Sequence, residues 1–255
     1  MKACFFGTHD FAATILEGLI KNPSFEVVHV ITQPDRPAGR SQKLQKSPVK
    51  ILAEKYNLPV DQPPSLKNFQ FLFSNLQLSI VAQYGLLIPK KIINLPKLGT
   101  INVHTSLLPK YRGASPIQTA LINGETETGV TIMLMDKGLD TGPILLQIKL
   151  AIEPNDTYLT LDRKLAPLGF EALIEAMPRY VAGDIKPIPQ DNAAATVTRQ
   201  LSRDDGKIDW QKSALEIERQ IRAYAPWPGC FSGFNIAGKL FNIKIIIARA
   251  DDYVG

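Results

Sequence analysis

The stretch Lys2–Ile20, KACFFGTHDFAATILEGLI, followed by Glu26–Thr32, EVVHVIT, decides the fold. Lys2 to Phe6 is a short apolar run closed by Gly7, and Phe11 to Ile20 carries apolar residues at helical spacing, so the order is strand, turn, helix. Glu26 to Thr32 is rich in β-branched residues and supplies the next strand. Together these make a βαβ unit of the kind that opens a mostly parallel, doubly wound, Rossmann-like α/β sheet. Gly7 stands alone and not in a GxGxxG pattern, so a dinucleotide cofactor is not indicated. His9 falls where the first strand ends, the side on which open α/β sheets take ligands, while His29 lies inside the second strand.

Outward from that unit, Leu78 to Ala82 reads as a buried strand ending in Gln83-Tyr84-Gly85, and Gly99 to Val103 as another. Thr128 to Met135 and Ile144 to Leu150 read as an antiparallel hairpin at the sheet edge. Ser47-Pro48 and Ser115-Pro116 each place an N-cap before a proline at the first helical position. A further helix is expected over 66–76, and Asp156-Thr157 caps a long one reaching Ala182, which Pro167 and Pro178 should kink or divide. Residues 186–199 read as a polar traverse with little regular structure, and 213–223 as a helix. Pro226-Trp227-Pro228-Gly229 marks a junction, after which 230–236 and 239–248 read as two strands, the start of a small β unit. Two strands bury no core alone, and the unit stops unfinished at Gly255, so the module is expected to be truncated. The expected organisation is a catalytic domain over 1–200, a linker and helical junction over 201–228, and the C-terminal module over 229–255.

With 255 residues, 45% of them hydrophobic and 21% charged, the chain has the composition of a soluble globular protein. No apolar run approaches the ~20 residues of a membrane helix, and MKACFFGTHDF lacks a signal-peptide pattern, so a cytoplasmic monomer without membrane attachment is expected. Cys4 and Cys230 lie far apart and without histidine pairs, which indicates neither a disulfide framework nor a metal site. The net charge is +5, and Gln33 to Lys50 holds Arg36, Arg40, Lys43, Lys46 and Lys50 against Asp35 alone. This long exposed loop, with two prolines and a glycine, concentrates the charge that attracts a polyanion, RNA being the obvious one, although many basic surface loops bind nothing.

Chemistry concentrates in Ile101-Asn102-Val103-His104, which runs into Thr105-Ser106-Leu107-Leu108-Pro109-Lys110-Tyr111-Arg112-Gly113. Strand side chains alternate faces, so Asn102 and His104 point the same way. An amide that can donate to an oxyanion, beside an imidazole that can move a proton, suits acyl or one-carbon transfer. The same pair also suits a strand-end cap and a structural histidine. Asp140, between Gly138 and Gly142, sits on a loop that could carry its carboxylate back to His104, or could make only an Asx turn.

Asn102-x-His104, Ser106 to Gly113 and Gly138-Leu139-Asp140-Thr141-Gly142, in this order, resemble the folate-dependent formyltransferase family. Gln33-Pro34-Asp35-Arg36-Pro37-Ala38-Gly39-Arg40 with Ser47-Pro48-Val49-Lys50 looks like the loop of those members that formylate methionyl-tRNA. Ile221-Arg222-Ala223-Tyr224 with Pro226 to Gly229 looks like their interdomain junction. The resemblance implies 10-formyltetrahydrofolate as co-substrate, initiator methionyl-tRNA as acceptor, no metal, and a C-terminal β-barrel that assists tRNA binding. It further implies Asn102 as oxyanion donor and either His104 or Asp140 as base. Tyr84, Gly85, Leu86, Leu87, Gly138, Leu139 and Thr141 are implied to flank the pterin, and Ser106, Leu107, Leu108 and Pro109 to shape the pocket floor and entrance. Arg36, Arg40, Lys43 and Lys46 are implied to touch tRNA. His9 and Gln83 depart from the family pattern, which favours proline and a small residue there. The alternatives are a sugar-nucleotide amine formyltransferase and a non-catalytic RNA-binding protein on the same sheet.

Overall fold

The structure, a computed structural model, describes residues 1–38, 42–70, 75–236 and 239–250. In chain order the elements are β1 (Lys2–Gly7), α1 (Asp10–Lys21), β2 (Glu26–Ile31), β3 (Arg36–Ala38), β4 (Lys43–Gln45), α2 (Pro48–Lys55) and β5 (Val60–Asp61). Next come β6 (Leu78–Ala82), α3 (Lys90–Ile93), β7 (Thr100–His104), β8 (Arg112–Gly113), α4 (Pro116–Ile122), β9 (Glu127–Leu134) and β10 (Ile144–Ala151). The chain closes with α5 (Tyr158–Ala182), β11 (Val197–Thr198), α6 (Ala214–Tyr224), β12 (Cys230–Ile236) and β13 (Lys239–Ile245).

Seven strands form one sheet in the order β10-β9-β7-β6-β1-β2-β5. The five from β7 to β5 are parallel, and β9 and β10 run antiparallel to their inner neighbours. This is the Rossmann-like α/β sheet that the opening βαβ unit announced. One face buries the large core, in which Ile101 and Val103 of β7 meet α1 and α5 residues such as Ile15, Leu16, Leu165 and Leu173. The other face is more thinly covered: Cys4, Phe6, Val81 and Tyr84 pack with Leu66, Leu76 and Ile92. Asn102 and His104, alternating with Ile101 and Val103, fall on this thinner side.

Three sequence expectations are corrected. The described part of 66–76 is turn and not helix: the Ser65 hydroxyl accepts from the Lys67 amide, and Leu66 and Leu76 are buried as anchors. α5 runs undivided through Pro167 and Pro178. A helix-interior proline costs about 3 kcal/mol, which burial of Leu161, Leu165, Leu173 and Met177 outweighs at roughly 1.5–3 kcal/mol each. The basic loop contains the short β3–β4 hairpin. The 186–199 traverse has little regular structure, as expected, and is anchored at two points: β11 pairs with β8 in a separate two-stranded sheet, and Ile188 bridges Ile144 of β10. At the C-terminus β12 and β13 form an antiparallel hairpin, and Cys230 and Ile245 join the main core at its base. Among the described residues no helix is long and apolar enough to cross a membrane.

Candidate active site

β7 brings Asn102 and His104 to the mouth of the sheet, where they are 9% and 6% exposed. Asp140 reaches them from an unexpected direction. Because β9 is antiparallel to β7, with Leu134 opposite Ile101, its following loop starts beside Thr100 and doubles back over the Asn102 face. Asp140 then adopts a left-handed backbone, φ +52°, which aims its carboxylate at β7. Oδ1 accepts from Asn102 Nδ2 at 3.1 Å, and Oδ2 accepts from the Gly113 amide at 2.8 Å. Oδ2 also lies 3.7 Å from His104 Nδ1.

The other imidazole nitrogen decides the tautomer. His104 Nε2 sits 3.0 Å from the Tyr111 carbonyl oxygen, which can only accept, so Nε2 carries the hydrogen. In the neutral ring Nδ1 therefore presents its lone pair toward Asp140 and the mouth. Asn102 uses one amide hydrogen on Asp140 and keeps a second.

The supporting shell comes largely from residues that carried no sequence signal. Gln190, in the polar traverse, donates through Nε2 to the carbonyls of Asp140 (2.9 Å) and Gly142 (2.7 Å), bracketing the carboxylate. Its Oε1 accepts twice from the buried Arg112, at 2.9 and 2.7 Å. Thr131 of β9 donates to the Ser106 carbonyl and accepts from the Leu108 amide, while Gln147 holds the Leu108 carbonyl. Ser106 and Leu108 are buried and sustain their loop from within; Leu107 and Pro109 are half-buried beside them. A Cβ on Gly129 would stand 2.2 Å from the Ile148 carbonyl oxygen and 2.6 Å from Leu107 Cδ2, so glycine is what lets β10 approach β9 this closely beneath that loop.

Matches to known proteins follow the same outline. A formyl transferase model matches residues 1–177, and a formyl transferase C-terminal domain model matches 200–253. A methionyl-tRNA formyltransferase of Marinobacter nauticus is 49% identical over 91% of this chain and 76% of its own length. One from Synechococcus sp. (strain JA-3-3Ab) is 48% identical over 98% of this chain and 78% of its own. The chain belongs to the methionyl-tRNA formyltransferase family. Among solved structures, a sugar 3N-formyltransferase determined in the presence of dTDP and 5-N-formyl-THF is 26% identical, with TM-score 0.65 over 88% of this chain and 78% of that one. A 4-N formyltransferase from Francisella tularensis, 18% identical with TM-score 0.74 over 97% of this chain and 98% of that one, shares the fold.

Two loops beside the mouth carry apolar side chains. Leu86 and Ile88 after β6, and Met135 before the Asp140 loop, pack against the same apolar cluster. Beside them Leu87 is 87% and Leu139 56% exposed, an apolar surface that fits a flat aromatic ring. Tyr84 turns its ring into the core against Phe6 and leaves only backbone to the loop; burial without a partner for Oη pushes its phenol up to about 12. Gly138 and Thr141 are tied to Asp136 Oδ1, at 2.8 and 2.6 Å, which orders the turn before Asp140. At the rim Gln83, itself left-handed at φ +41°, donates to the buried Asp162 at 2.9 Å. Burial raises the Asp162 carboxyl above the usual range, against the lowering effect of the Gln83 bond. His9 is exposed at the N-cap of α1 and makes no capping bond. Among the described residues no group of three or more His, Cys, Asp or Glu could hold a metal.

The basic arm is more neutralised than its composition implies. Lys50 pairs with Asp35 at 2.7 Å and Lys46 with Glu54 at 2.7 Å. Arg36 donates to Gln33, and exposed Lys43 makes no ion pair among the described residues. Arg40 lies outside the described residues.

Proposed function

We propose that this chain transfers the formyl group of 10-formyltetrahydrofolate to the α-amine of methionine on initiator tRNA, with Asn102, His104 and Asp140 as the catalytic residues. The observation that carries the chemistry is the direction of the His104 ring: its Nε2 hydrogen is committed to the Tyr111 carbonyl, so Nδ1 is free to take a proton at the mouth. The tRNA acceptor is supported by relatives at 45–49% identity that bear the methionyl-tRNA name, against 26% or less for structural relatives named for sugars.

The folate co-substrate supplies an electrophilic formyl carbon. The nucleophile is the neutral amine, whose model group titrates near ~8. As its nitrogen bonds to the formyl carbon, the carbonyl electron pair moves to oxygen, where the second Asn102 hydrogen stabilises the oxyanion by about 3 kcal/mol. The amine proton passes to His104 Nδ1, and the imidazolium is held beside Asp140 Oδ2. Asp140 keeps both oxygens occupied by Asn102 and Gly113, so it orients and charge-balances, leaving His104 as the base. The same proton then goes to the departing folate nitrogen as its bond to carbon breaks. By resemblance to the family, Arg36, Arg40, Lys43 and Lys46 are assigned to tRNA binding, and loops 84–87 and 138–141 to the pterin.

A parallel assay decides the acceptor. Offered Met-tRNA and an amino-sugar nucleotide with the same formyl donor, the chain is expected to formylate only Met-tRNA. Transfer to the sugar alone would overturn the reading, and transfer to neither would remove the catalytic claim.

A further inference from the structure

Between the basic arm and the loop after β6 lies a side chain that neither site explains. Gln33, at the root of the arm, is half-buried, and its two amide atoms face opposite ways. Nε2 donates to the Tyr84 carbonyl at 2.7 Å, and Oε1 accepts from Arg36 Nη2 at 2.8 Å. The fixture is reinforced on both sides. Thr8 Oγ1 donates to the same Tyr84 carbonyl at 2.9 Å, while Gln62 Nε2 holds the Gln33 carbonyl at 2.8 Å and Asp35 Oδ1 at 2.7 Å. Asp35 in turn accepts from Lys50, which draws its carboxyl below the ordinary range. Gly85 makes room for the contact: it takes φ +78°, and a Cβ there would stand 2.4 Å from Gln33 Nε2.

We propose that Gln33 is a positioning residue that couples the two substrate sites, so that RNA engaged by Arg36 tightens folate binding at loop 84–87. This rests on the reading of those two regions given above. The two Gln33 bonds restrain one rotamer in series. When a phosphate fixes the Arg36 guanidinium, that rotamer is already ordered, and the Tyr84 carbonyl is held at a smaller cost in entropy. A guanidinium has donors to spare, so Arg36 serves phosphate and Gln33 together. Coupling is reciprocal, and folate must tighten RNA by the same factor.

The experiment titrates 5-formyltetrahydrofolate, a non-reacting analogue, into the protein with and without saturating deacylated initiator tRNA. For the unaltered chain, tRNA is expected to lower the folate Kd roughly fivefold, the low end of known couplings. In Gln33→Ala, and in Gln33→Glu, which keeps the acceptor for Arg36 but loses the donor to Tyr84, the Kd becomes the same with and without tRNA. Both variants still bind each ligand alone. Arg36→Met breaks the outer link together with its own phosphate contact, and it also removes the coupling at saturating tRNA. If the unaltered chain binds both ligands independently, or either Gln33 variant keeps the fivefold effect, the coupling role is overturned while the catalytic reading stands. If the unaltered chain binds neither ligand, the catalytic reading itself falls.

Discussion

The catalytic mouth and the basic arm differ in how they hold their functional groups. Asn102 and His104 are buried and Asp140 is half-buried; Asp140 is tied to groups far away in sequence, its carboxylate to the Gly113 amide and its carbonyl to the Gln190 side chain, while His104 is held by the Tyr111 carbonyl. The arm works with side chains near the surface, tied by local ion pairs such as Lys46 to Glu54 and Lys50 to Asp35. Proton transfer needs donors and acceptors fixed to a fraction of an ångström, and long-range backbone contacts supply that. Attraction of a polyanion needs charge density, which short-range pairs only trim. Changes at the mouth should therefore lower kcat, and changes in the arm should raise KM for tRNA.

The sharpest break of that contrast is Asp140→Ala. It removes the acceptor for Asn102 and Gly113 and the counter-charge for His104, so kcat should fall by about 10²–10⁴-fold with little change in KM for tRNA. Steady-state kinetics with Met-tRNA checks this. Gln190→Ala comes next. Freed from Gln190, the Asp140 loop shifts and kcat should fall about tenfold to a hundredfold, since a displacement near 1 Å is that costly. An unchanged kcat would show that the traverse is only scaffold. Lys43→Ala should leave kcat alone, raise KM for tRNA several-fold and lessen the salt dependence of binding by about one phosphate contact.

The smallest effect concerns stability. Asp162 has its carboxyl raised by burial, with Gln83, Asp10 and Arg163 as polar and charged neighbours. The folded state thus holds this proton more tightly than the unfolded chain, whose carboxylates titrate near ~4. Stability falls as pH rises from there through the raised value. Asp162→Asn removes the ionisation and keeps an acceptor for Gln83, so its Tm should exceed the parent's near pH 7 and match it near pH 3. A Tm difference that stays constant across this range would contradict the assignment.

The sheet was legible because its strands are short apolar runs closed by Gly7, Gly85 and the break after His104, and the alternation placing Asn102 beside His104 follows from strand geometry alone. What lay beyond sequence was long-range closure. Nothing in PIPQDNAAAT marks Gln190 as a clamp, since a polar stretch without periodicity gives the same signal whether it is solvated or folded over a site. The direction of the Asp140 loop depended on β9 running antiparallel to β7, a register that no local pattern encodes. The described part of 66–76 departs from the helix its weak spacing suggests because the Ser65 turn competes successfully with it. α5 survived its prolines through burial, which propensity does not count.

The central claim is that His104, fixed by the Tyr111 carbonyl, takes the amine proton. Single-turnover formyl transfer at saturating Met-tRNA tests it most directly, comparing His104→Ala with the parent while 5-formyltetrahydrofolate binding confirms an intact pocket. A rate at least about 100-fold lower, with folate binding preserved, is the predicted result; a rate within a few-fold of the parent would contradict it.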